Sequence, residues 1–556
     1  MRYLILLALF SSCSIDQAIN DADLIVSSNK VILMTDKRKA QPLSIAIKDE
    51  RIVWIGSHQD AKNIQGKHID FGNQAVLPGF IDAHGHASYL AFAAQVANIA
   101  SPPVGTIKNI KELQTELRKF INDSNLKPGE WVMGLGYDDS LLEEQRHPTK
   151  DDLDEVSTEH PIYLIHVSAH LGAANSLGLS LANINSETQD PPGGRIRRYE
   201  NSSKPNGVFE ETAAYPLQQL AMSAYKDPIG SVKQAMKIYA RNGITTAQDG
   251  ASSLETIHLM QAADKQGMID LDIISYPIGQ NGLDKNLNSI NFGSYEGRLK
   301  IGGIKLILDG SPQGKTAYLT EPYYKPPHSE SDSYKGYPLI PQSEVSKWVK
   351  KYADLNIPIM AHANGDAAAD MLIKAVKDAD ITSDHRTIMI HAQTVREDQL
   401  DQMKKLKIIP SYFSTHTFYW GDWHRDSVFG EDRAMRISPT KSTLKRKMPF
   451  TVHNDAPVVP PDMIRLLWST TNRKTRSGKV LGEEQKISTY SALEAMTINA
   501  AYQHFEDDIK GTIEVGKQAD LVVLSQNPLS IDTKDILEIE VVATFSRGQE
   551  VFNAKK

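Results

Sequence analysis

The 556-residue chain is longer than one ordinary domain, so about two or three domains are expected. Its hydrophobic content of 40% and charged content of 23% are those of a folded, soluble protein. The formal net charge of -7 is small for this length and there is no long basic run, which argues against a nucleic-acid partner. The single cysteine, Cys13, excludes a disulfide framework and a zinc site built from thiolates.

Residues 1–19 are predicted to be a signal peptide. A charged start, Met1-Arg2, precedes a short apolar core, Tyr3–Phe10, and then Ser11-Ser12-Cys13. The core is far shorter than the roughly 20 apolar residues of a transmembrane helix. Small residues before a cysteine resemble a bacterial lipobox, which predicts an exported protein, periplasmic or anchored to the outer membrane by a lipid on Cys13. Simple secretion and a retained leader are the alternatives, because Phe10 stands where lipoboxes usually carry Leu.

Short β-rich runs occupy residues 20–76 and again residues 510–556, each bounded by turn residues. The predicted strands are Leu24–Val26, Val31–Met34, Ser44–Ile47, Arg51–Ile55, Ala519–Leu524 and Glu540–Phe545. Neither group can bury both of its faces alone. We therefore expect the two ends of the chain to pack together.

Between these ends, residues 77–509 alternate apolar strands with helical segments, which is the signature of a parallel α/β fold. Eight strand–helix units predict a (β/α)8 TIM-type barrel, with its active site at the carboxyl ends of the strands. The predicted strands are Val76–Asp82, Ile244–Asp249, Leu271–Pro277, Ile301–Leu308, Ile357–His362, Thr387–His391, Ile408–Tyr412 and Phe450–His453. The predicted helices are Ser253–Gly267, Ser343–Leu355, Ala367–Ala379, Arg396–Leu406, Thr440–Lys447 and Ser488–His504.

The gap between the first two predicted strands is too long for one crossover connection. Residues 100–225 are therefore predicted to form an α+β insertion within the barrel. The insertion has a predicted helix, Lys108–Ile121, two predicted strands, Trp131–Leu135 and Ile162–Val167, and a Gly/Pro-rich turn at Asp190–Arg195. Because the chain leaves the barrel directly after the first strand, the insertion is expected to cover the mouth of the active site.

The first predicted barrel strand ends in two histidines, His84 and His86. Residues i and i+2 of a strand face the same side, so both imidazoles point the same way. Imidazole nitrogens are common ligands of zinc and similar metals. The pair alone is a weak signal, because surface histidines at this spacing are frequent. Later apolar strands carry or end in further residues that could bind metal, namely Lys305, His362, His391 and Asp455.

Each of these later residues also has an ordinary structural explanation. Lys305 lies within a largely apolar strand, where an unpaired lysine is costly to bury, so an ion pair with Asp309 or a solvent-facing edge would explain it. His362 or His391 alone would be a hydrogen-bonded core histidine, and Asp455 would cap a helix. Because His362 and His391 close successive strands of one barrel, ligation of metal is favoured for these two jointly.

The segment Leu77-Pro-Gly-Phe-Ile-Asp-Ala-His-Gly-His86 resembles the first-strand motif of the amidohydrolase superfamily of metal-dependent hydrolases. Further segments, in the family's order, resemble its YtcJ-like branch, which includes N-substituted formamide deformylases. These segments are Gly136–Asp139, Arg146–Thr149 with Asp152–Asp154, Asp190–Arg195, Ile304–Ser311, Ala361–Asp366, Ile390–Gln393 and Asn454–Pro457. They cover nearly the whole chain after the leader, and they are specific for fold and metal chemistry but not for substrate.

The resemblance implies a centre of two divalent metals, zinc first, with Mn²⁺, Fe²⁺ or Co²⁺ as alternatives. The implied ligands are His84 and His86 on the first metal, His362 and His391 on the second, Lys305 as an N-carboxylated bridge, and Asp455 on the first metal. Carboxylation would give Lys305 two oxygen ligands and remove the cost of burying its positive charge. The resemblance also implies that the two chain ends form one small β-sandwich.

Five polar residues match family positions near the mouth of the site, and they are Tyr137, Asp138, His170, Gln393 and His416. We expect His170 and His416 to bind substrate or polarise its carbonyl, with structural hydrogen bonding as the alternative. The family's usual Gly-Ser before the aspartate is His453-Asn454 here. This departure puts an extra imidazole near the site, so His453 joins the predicted substrate-binding set.

The expected activity is hydrolysis of a C–N bond in an amide, N-formyl or cyclic amide compound. A hydroxide bridging the metals would attack, with Asp455 as the general base. An esterase, lactonase or deaminase with the same metals is one alternative, and an inactive surface-anchored binding or regulatory protein is another. The expected partners are a small-molecule substrate, a membrane reached through Cys13, and further copies of this chain.

Overall fold

The computed structural model describes residues 19–35, 38–223, 227–280, 283, 287, 290–327 and 330–556. Nearly all of the predicted signal peptide, with Cys13, lies outside these residues, so export and lipid attachment stay predictions. Among the residues that the structure describes, no helix is both long and apolar enough to cross a membrane.

The N-terminal segment forms five strands. They are β1 Asp21–Val31, β2 Gln41–Lys48, β3 Arg51–Gly56, β4 Gln65–Asp70 and β5 Ala75–Pro78, with helix α1 His58–Ala61 between β3 and β4. β1 pairs antiparallel with β2 and parallel with β4, and its last residues pair with β5. Leu24, Val26 and Ile45 pack in one apolar core. Ile25 and Ala46, which point to the opposite face, pack in a second core with α1.

The chain then enters the central part of the molecule through β6 Phe80–Ile81, followed by helix α2 Ala87–Ala93. The prediction of a single strand, Val76–Asp82, is wrong, because β5 and β6 belong to different sheets. The chain divides at Gly79, where a β-carbon would come within 2.3 Å of Thr245. Glycine therefore allows the close approach at the point where the chain changes sheet.

A separate six-stranded sheet follows, and all its strands except the first lie within the predicted insertion, residues 100–225. Its strands are β7 Ala97–Asn98, β8 Val132–Tyr137, β9 Ile162–His166, β10 Leu171–Ala174, β11 Gly194–Arg198 and β12 Pro205–Glu211, in the order β11-β12-β10-β9-β8-β7. Its helices are α3 Ile110–Asp123, α4 Lys150–Asp154, α5 Ser176–Leu181 and α6 Tyr215–Met222. Helix α3 buries Ile110, Leu113 and Leu117, which recur at helical spacing, against β8 and β9. The insertion's elements form as predicted, and its boundaries stay a prediction.

The central strands form two five-stranded sheets. Besides β6, the strands of these two sheets are β13 Ile244–Ser252, β14 Asp272–Pro277, β15 Tyr295–Glu296, β16 Leu299–Ile301, β17 Ile304–Ile307, β18 Ile359–Ala363, β19 Ile388–His391, β20 Ile409–Tyr412 and β21 Thr451–Val452. The sheet orders are β15-β16-β14-β13-β6 and β17-β18-β19-β20-β21, and every pair except β15 with β16 is parallel. The predicted parallel α/β fold is confirmed.

Helices connect and cover these strands. They are α7 Pro228–Arg241, α8 Leu254–Lys265, α9 Gln342–Asp354, α10 Asp366–Ala379, α11 Glu397–Lys405, α12 His416–Tyr419, α13 Gly421–Trp423, α14 Glu431–Ala434, α15 Thr440–Lys445, α16 Met463–Asn472, α17 Thr489–Met496 and α18 Ile498–Gln503. A π-helix, His424–Val428, follows α13, and 3-10 helices span Glu483–Gln485 and Thr533–Glu538. Strands covered on both faces are buried at every residue, as in β14, β18 and β20, which explains why most of their residues are apolar.

The predicted strand Ile301–Leu308 is also wrong as a single element, because β16 and β17 belong to different sheets. Gly302 and Gly303 separate them, and a β-carbon on Gly303 would approach the Pro358 carbonyl oxygen to 2.3 Å. The backbone N–H of Gly279 donates to Lys305 O at 2.8 Å and links the two sheets here. Within the described ranges, no strand pairing joins β21 to β6, so closure into a barrel stays a prediction.

The C-terminal strands are β22 Leu521–Leu524, β23 Val541–Ser546 and β24 Gln549–Asn553. They extend the N-terminal sheet in the order β24-β23-β22-β5-β1-β2-β3, with β4 beside β1. β22 pairs antiparallel with β5, so the two ends of the chain meet as predicted. The hydrogen bonds place all these strands in one sheet, and the two-layer sandwich stays a prediction.

Candidate metal centre

Polar side chains converge where the parallel central strands end. They are His84 and His86 after β6, Lys305 on β17, His362 on β18, His391 at the end of β19, and Asp455 after β21. Asp455 Oδ1 lies 3.1 Å from His86 Nε2 and 3.3 Å from His84 Nε2, and its Oδ2 lies 3.9 Å from His391 Nε2. The ring centroids of His362 and His391 are 4.6 Å apart. These contacts define what we call the metal cluster.

Lys305 completes the cluster, with its Nζ 3.2 Å from His84 Nε2. It is only 2% exposed, and burial lowers its pKa to about 7, against a smaller opposing effect of Asp455. Asp309 faces elsewhere, because it accepts hydrogen bonds from His362 Nδ1 and from the backbone N–H of Asn364. All six predicted ligands therefore lie together, and Lys305 is neither paired with Asp309 nor at a solvent-facing edge.

Each histidine of the metal cluster is engaged through Nδ1. The partners are Gln248 Oε1 for His84 at 2.5 Å, Gly250 O for His86 at 2.6 Å, Asp309 Oδ1 for His362 at 3.1 Å and His453 Nε2 for His391 at 3.2 Å. An oxygen acceptor places the ring proton on Nδ1 and leaves Nε2 with its lone pair. In His362 that nitrogen lies 3.3 Å from Asn364 Nδ2. Ligating histidines in metalloproteins are oriented in this way by a partner on the other nitrogen.

The electrostatics favour neutral imidazoles. Burial lowers the pKa of His84, His362 and His391 well below the ordinary histidine value, and neighbouring cationic or imidazole groups lower it further. Neutral imidazole is the form that binds metals. Burial opposes ionisation of Asp455, but the hydrogen bond and charge of His86 more than offset it and keep the pKa of Asp455 below its usual range.

Two of the candidate ligands have left-handed backbone conformations. The φ angles of His391 and Asp455 are 70° and 59°, and that of Ala392 is 46°. A non-glycine residue in this region costs on the order of 1–3 kcal/mol, and such residues cluster at functional sites. The fold therefore maintains an unfavourable backbone where these side chains turn into the cluster.

The donor set fits a divalent metal of the zinc type. Ligand atoms of His84, His86 and Asp455 all lie within 4.8 Å of one another. Imidazole nitrogens and carboxylate oxygens are the ligands that zinc and similar ions bind in proteins. The nitrogen atoms face one another across the cluster, an arrangement that a bound cation would stabilise.

The insertion contributes His170, whose ring centroid lies 4.9 Å from that of His362. Its Nδ1 lies 2.7 Å from Oε2 of Glu211, a carboxylate that is completely buried at the end of β12. Burial lowers the pKa of His170, but the charge and hydrogen bond of Glu211 more than offset this, so the pKa is raised. His170 is thereby positioned at the cluster as predicted, with a partner that the sequence did not reveal.

His416 and Gln393 lie on another side of the cluster. The His416 ring stacks on Phe413, with centroids 4.0 Å apart, and lies 6.4 Å from His391. Both ring nitrogens of His416 and Oε1 of Gln393 are buried and have no hydrogen-bond partner among the described residues. Unpaired buried polar atoms are rare in folded proteins, so these atoms are suited to contact a substrate.

Two predicted residues lie further away. Tyr137 is buried in the insertion core, and its hydroxyl lies 3.2 Å from His147 Nδ1. Asp138 accepts a 2.6 Å hydrogen bond from Trp420 Nε1, and the Trp420 ring lies 5.3 Å from His416. The structure thus places Asp138 one side chain behind the site, and contacts of Tyr137 and Asp138 with substrate stay predictions.

Three further residues support histidines of the site and were not among the predicted site residues. They are Gln248, Asp309 and Glu211, each of which contacts a histidine of the site. Gln248 also donates to Ala83 O at 2.7 Å, which turns its Oε1 towards His84. Gln248 and Asp309 lie near the ends of predicted strands, and that position was the available signal. No comparable signal marks Glu211.

The model of the Amidohydrolase family matches residues 67–552 of the chain. The chain belongs to this family. The N-substituted formamide deformylase of Arthrobacter pascens is 27% identical over 544 residues, covering 94% of this chain and 97% of the relative. The putative amidohydrolase YtcJ of Bacillus subtilis is 24% identical over 92% of this chain and 96% of the relative. These matches confirm the predicted YtcJ-like placement of this amidohydrolase.

Solved structures agree with the fold of the amidohydrolase. The crystal structure of an uncharacterized metal-dependent hydrolase from Pyrococcus horikoshii superposes with a TM-score of 0.72 at 22% identity. The match covers 92% of this chain and 99% of the other. The family and the His/Asp groups of the metal cluster together support a hydrolase that uses a divalent metal.

Proposed function

We propose that this amidohydrolase cleaves a C–N bond of an amide, N-formyl or cyclic amide compound with two divalent metals, zinc first. The observation that carries the proposal is the convergence of the Nε2 atoms of three histidines on Asp455 at the strand ends, with Lys305 beside one of them. The histidines are His84, His86 and His391. The name of the Arthrobacter pascens relative, an N-substituted formamide deformylase, supports the choice of bond.

The six cluster residues would divide between the two ions. His84, His86 and Asp455 would hold one ion, His362 and His391 the other, and Lys305 would lie between them. Bound ions of this type polarise a carbonyl group and lower the pKa of water towards neutrality.

Lys305 is suited to become a carbamate. A pKa of about 7 leaves much of the amine neutral near pH 7, whereas an ordinary lysine is almost entirely protonated there. The neutral nitrogen attacks carbon dioxide, forms an N–C bond and releases one proton. The product is a carboxylate with two oxygen atoms, which replaces a buried ammonium group by an acceptor that faces His84.

Asp455 is placed to transfer the proton of the reaction. The attacking water forms a C–O bond and loses a proton to the Asp455 carboxylate, the C–N bond breaks, and the leaving nitrogen takes that proton. Because its pKa lies below the usual range, Asp455 is ionised and able to accept a proton near neutral pH.

Residues around the cluster would bind the substrate. The Nε2 atom of His170 is not engaged by Glu211, so it is free to donate to the substrate carbonyl oxygen. The unpaired atoms of His416 and Gln393 would bind the other polar groups of the substrate.

The test combines a substrate panel with Asp455→Asn. The parent should hydrolyse formamides, other amides or cyclic amides faster than matched esters and lactones. Asp455→Asn should retain metal and lose roughly a hundred- to ten-thousand-fold in kcat, the usual contribution of a positioned acid–base group. Asp370→Asn, at a half-exposed carboxylate outside the cluster, is the control and should keep parental turnover.

Two results would contradict the proposal. Turnover of esters or lactones alone, or deamination alone, would show that the metals serve another reaction. A protein with two bound metals and no activity on any substrate class would support the inactive alternative.

A further inference from the structure

His453 is completely buried behind the metal cluster, at the end of β21. Its ring centroid lies 5.2 Å from that of His84 and 5.2 Å from that of His391. Both of its nitrogens are engaged, Nδ1 with Ser411 Oγ at 2.8 Å and Nε2 with His391 Nδ1 at 3.2 Å. His453 therefore links a cluster histidine to a serine on β20.

The direction of these hydrogen bonds follows from which His391 nitrogen faces the cluster. Nε2 of His391 points towards Asp455, so Nε2 is the nitrogen available to a metal. A neutral imidazole that ligates through Nε2 carries its proton on Nδ1. His391 then donates to His453 Nε2, and His453 carries its own proton on Nδ1 and donates it to Ser411.

This arrangement differs from the other three cluster histidines. Nδ1 of His84, His86 and His362 faces an amide, a backbone or a carboxylate oxygen. His391 alone among the four is oriented by another imidazole, and its backbone has a left-handed φ of 70°.

We propose that His453 is a positioning residue that fixes the tautomer and ring orientation of His391 and thereby sets the affinity of the ion that His391 binds. The inference rests on the metal centre of the proposed function. Partners of this kind typically change metal affinity by about 10- to 100-fold when they are removed. On this account His453 contacts a ligand and not the substrate, which revises its predicted place in the substrate-binding set.

A matched pair of substitutions distinguishes the role of His453 Nε2 from that of His453 Nδ1. The amide of His453→Gln reaches the position of Nε2, where its oxygen can still accept from His391. The amide of His453→Asn reaches only the position of Nδ1, so it can contact Ser411 but not His391. The two variants place the same amide in the same buried site, and they differ in which end of the imidazole they replace.

Zinc affinity of the full chain is the measurement, by competition with a chromophoric chelator. The parent should bind about two Zn²⁺ ions, and His453→Asn should weaken one of them by about 10- to 100-fold while the other changes little. His453→Gln should restore most of that loss. His160→Gln, at a buried histidine of the insertion, is the control and should bind zinc as the parent does.

Equal zinc affinities of the Gln and Asn variants, with two ions on the parent, would overturn the inference and leave the proposed function intact. A parent that binds no zinc would overturn both. If either variant is too unstable to purify, Ser411→Ala decides, because it leaves the His453 Nδ1 proton without its acceptor. That variant should weaken the same ion, and parental affinity would contradict the inference.

Discussion

Two buried lysines at opposite ends of the central strands show what distinguishes the metal cluster from a structural ionic network. Lys305 lies in the cluster, where its Nζ faces the Nε2 of His84 at 3.2 Å. Lys510 lies near the amino end of β14, where its Nζ is 2.6 Å from Asp272 and 3.3 Å from Glu506. Burial lowers the pKa of both lysines, but around Lys510 the two carboxylates more than offset it.

The network around Lys510 pairs each cation with a carboxylate. Lys300 lies 3.0 Å from Glu506, and Arg547 lies 2.8 Å from Asp272. In the metal cluster, nitrogen faces nitrogen, as with Lys305 and His84. A network of opposite charges is complete in itself, whereas a cluster of facing nitrogens beside one carboxylate is suited to a further cation or to a modification of the lysine. Perturbed groups of the second kind are typical of functional sites.

Exchanging each lysine for methionine should have opposite consequences. Lys305→Met should lose metal and reduce activity by about a thousandfold or more, because the ions supply several kcal/mol of transition-state stabilisation. Its metal-free stability should not fall, since methionine replaces a buried amine that lacks a carboxylate partner. Metal content, kcat and denaturant unfolding are the measurements.

Lys510→Met is the matched control. It should lower the free energy of unfolding by about 3–5 kcal/mol, because Asp272 and Glu506 would remain buried without their shared cation. Metal per folded chain should stay at the parental value. If Lys305→Met keeps its metals, or if Lys510→Met loses them at parental stability, the distinction between the two lysines is wrong.

The residues of the cluster were candidates because each ends or interrupts an apolar strand, and the family resemblance then singled them out as metal ligands. Their partners were not, since Gln248 meets His84 across 164 positions and Glu211 meets His170 across 41. The divisions of the chain at Gly79 and at Gly302–Gly303 were also missed. A continuous apolar run does not show which sheet each half joins, because that depends on neighbours far away in sequence.

A smaller effect is expected from the glutamines that support each region. Gln248→Ala removes the oxygen that faces His84 Nδ1 and should weaken metal binding by about 10- to 100-fold. Gln518, which donates to Asp272 at 2.9 Å, is the matched position in the network. Gln518→Ala should lower stability and leave zinc affinity unchanged when chelator competition is used. Equal zinc affinities of the two variants would contradict the claim that Gln248 supports metal binding through His84.

The last effect concerns the pH dependence of stability in metal-free, carbon dioxide-free protein. Lys305 has a pKa of about 7 when folded and 10.5 as its ordinary value, so between these limits the unfolded chain binds a proton that the folded chain lacks. The free energy of unfolding should therefore rise as pH rises from 7 to 10.5. The gain is complete above pH 10.5 and is lost as pH falls to 7. The slope is at most about 1.4 kcal/mol per pH unit.

Comparison of the parent with Lys305→Met isolates this contribution. The difference in free energy of unfolding between them should change with pH across that window. Lys510→Met should show no such change, because the raised pKa of Lys510 keeps it protonated in both states there. Parallel stability curves for the parent and Lys305→Met would contradict a lowered pKa of Lys305.

The central claim is that the facing nitrogens and Asp455 form a metal centre, and elemental analysis of the purified protein tests it most directly. Protein produced with ample metal should contain about two divalent ions per chain, and stripping with a chelator followed by zinc addition should restore that number together with activity. Lys305→Met prepared in parallel should contain fewer ions at equal purity. One ion or none per chain in the parent, under the same conditions, would contradict the binuclear centre.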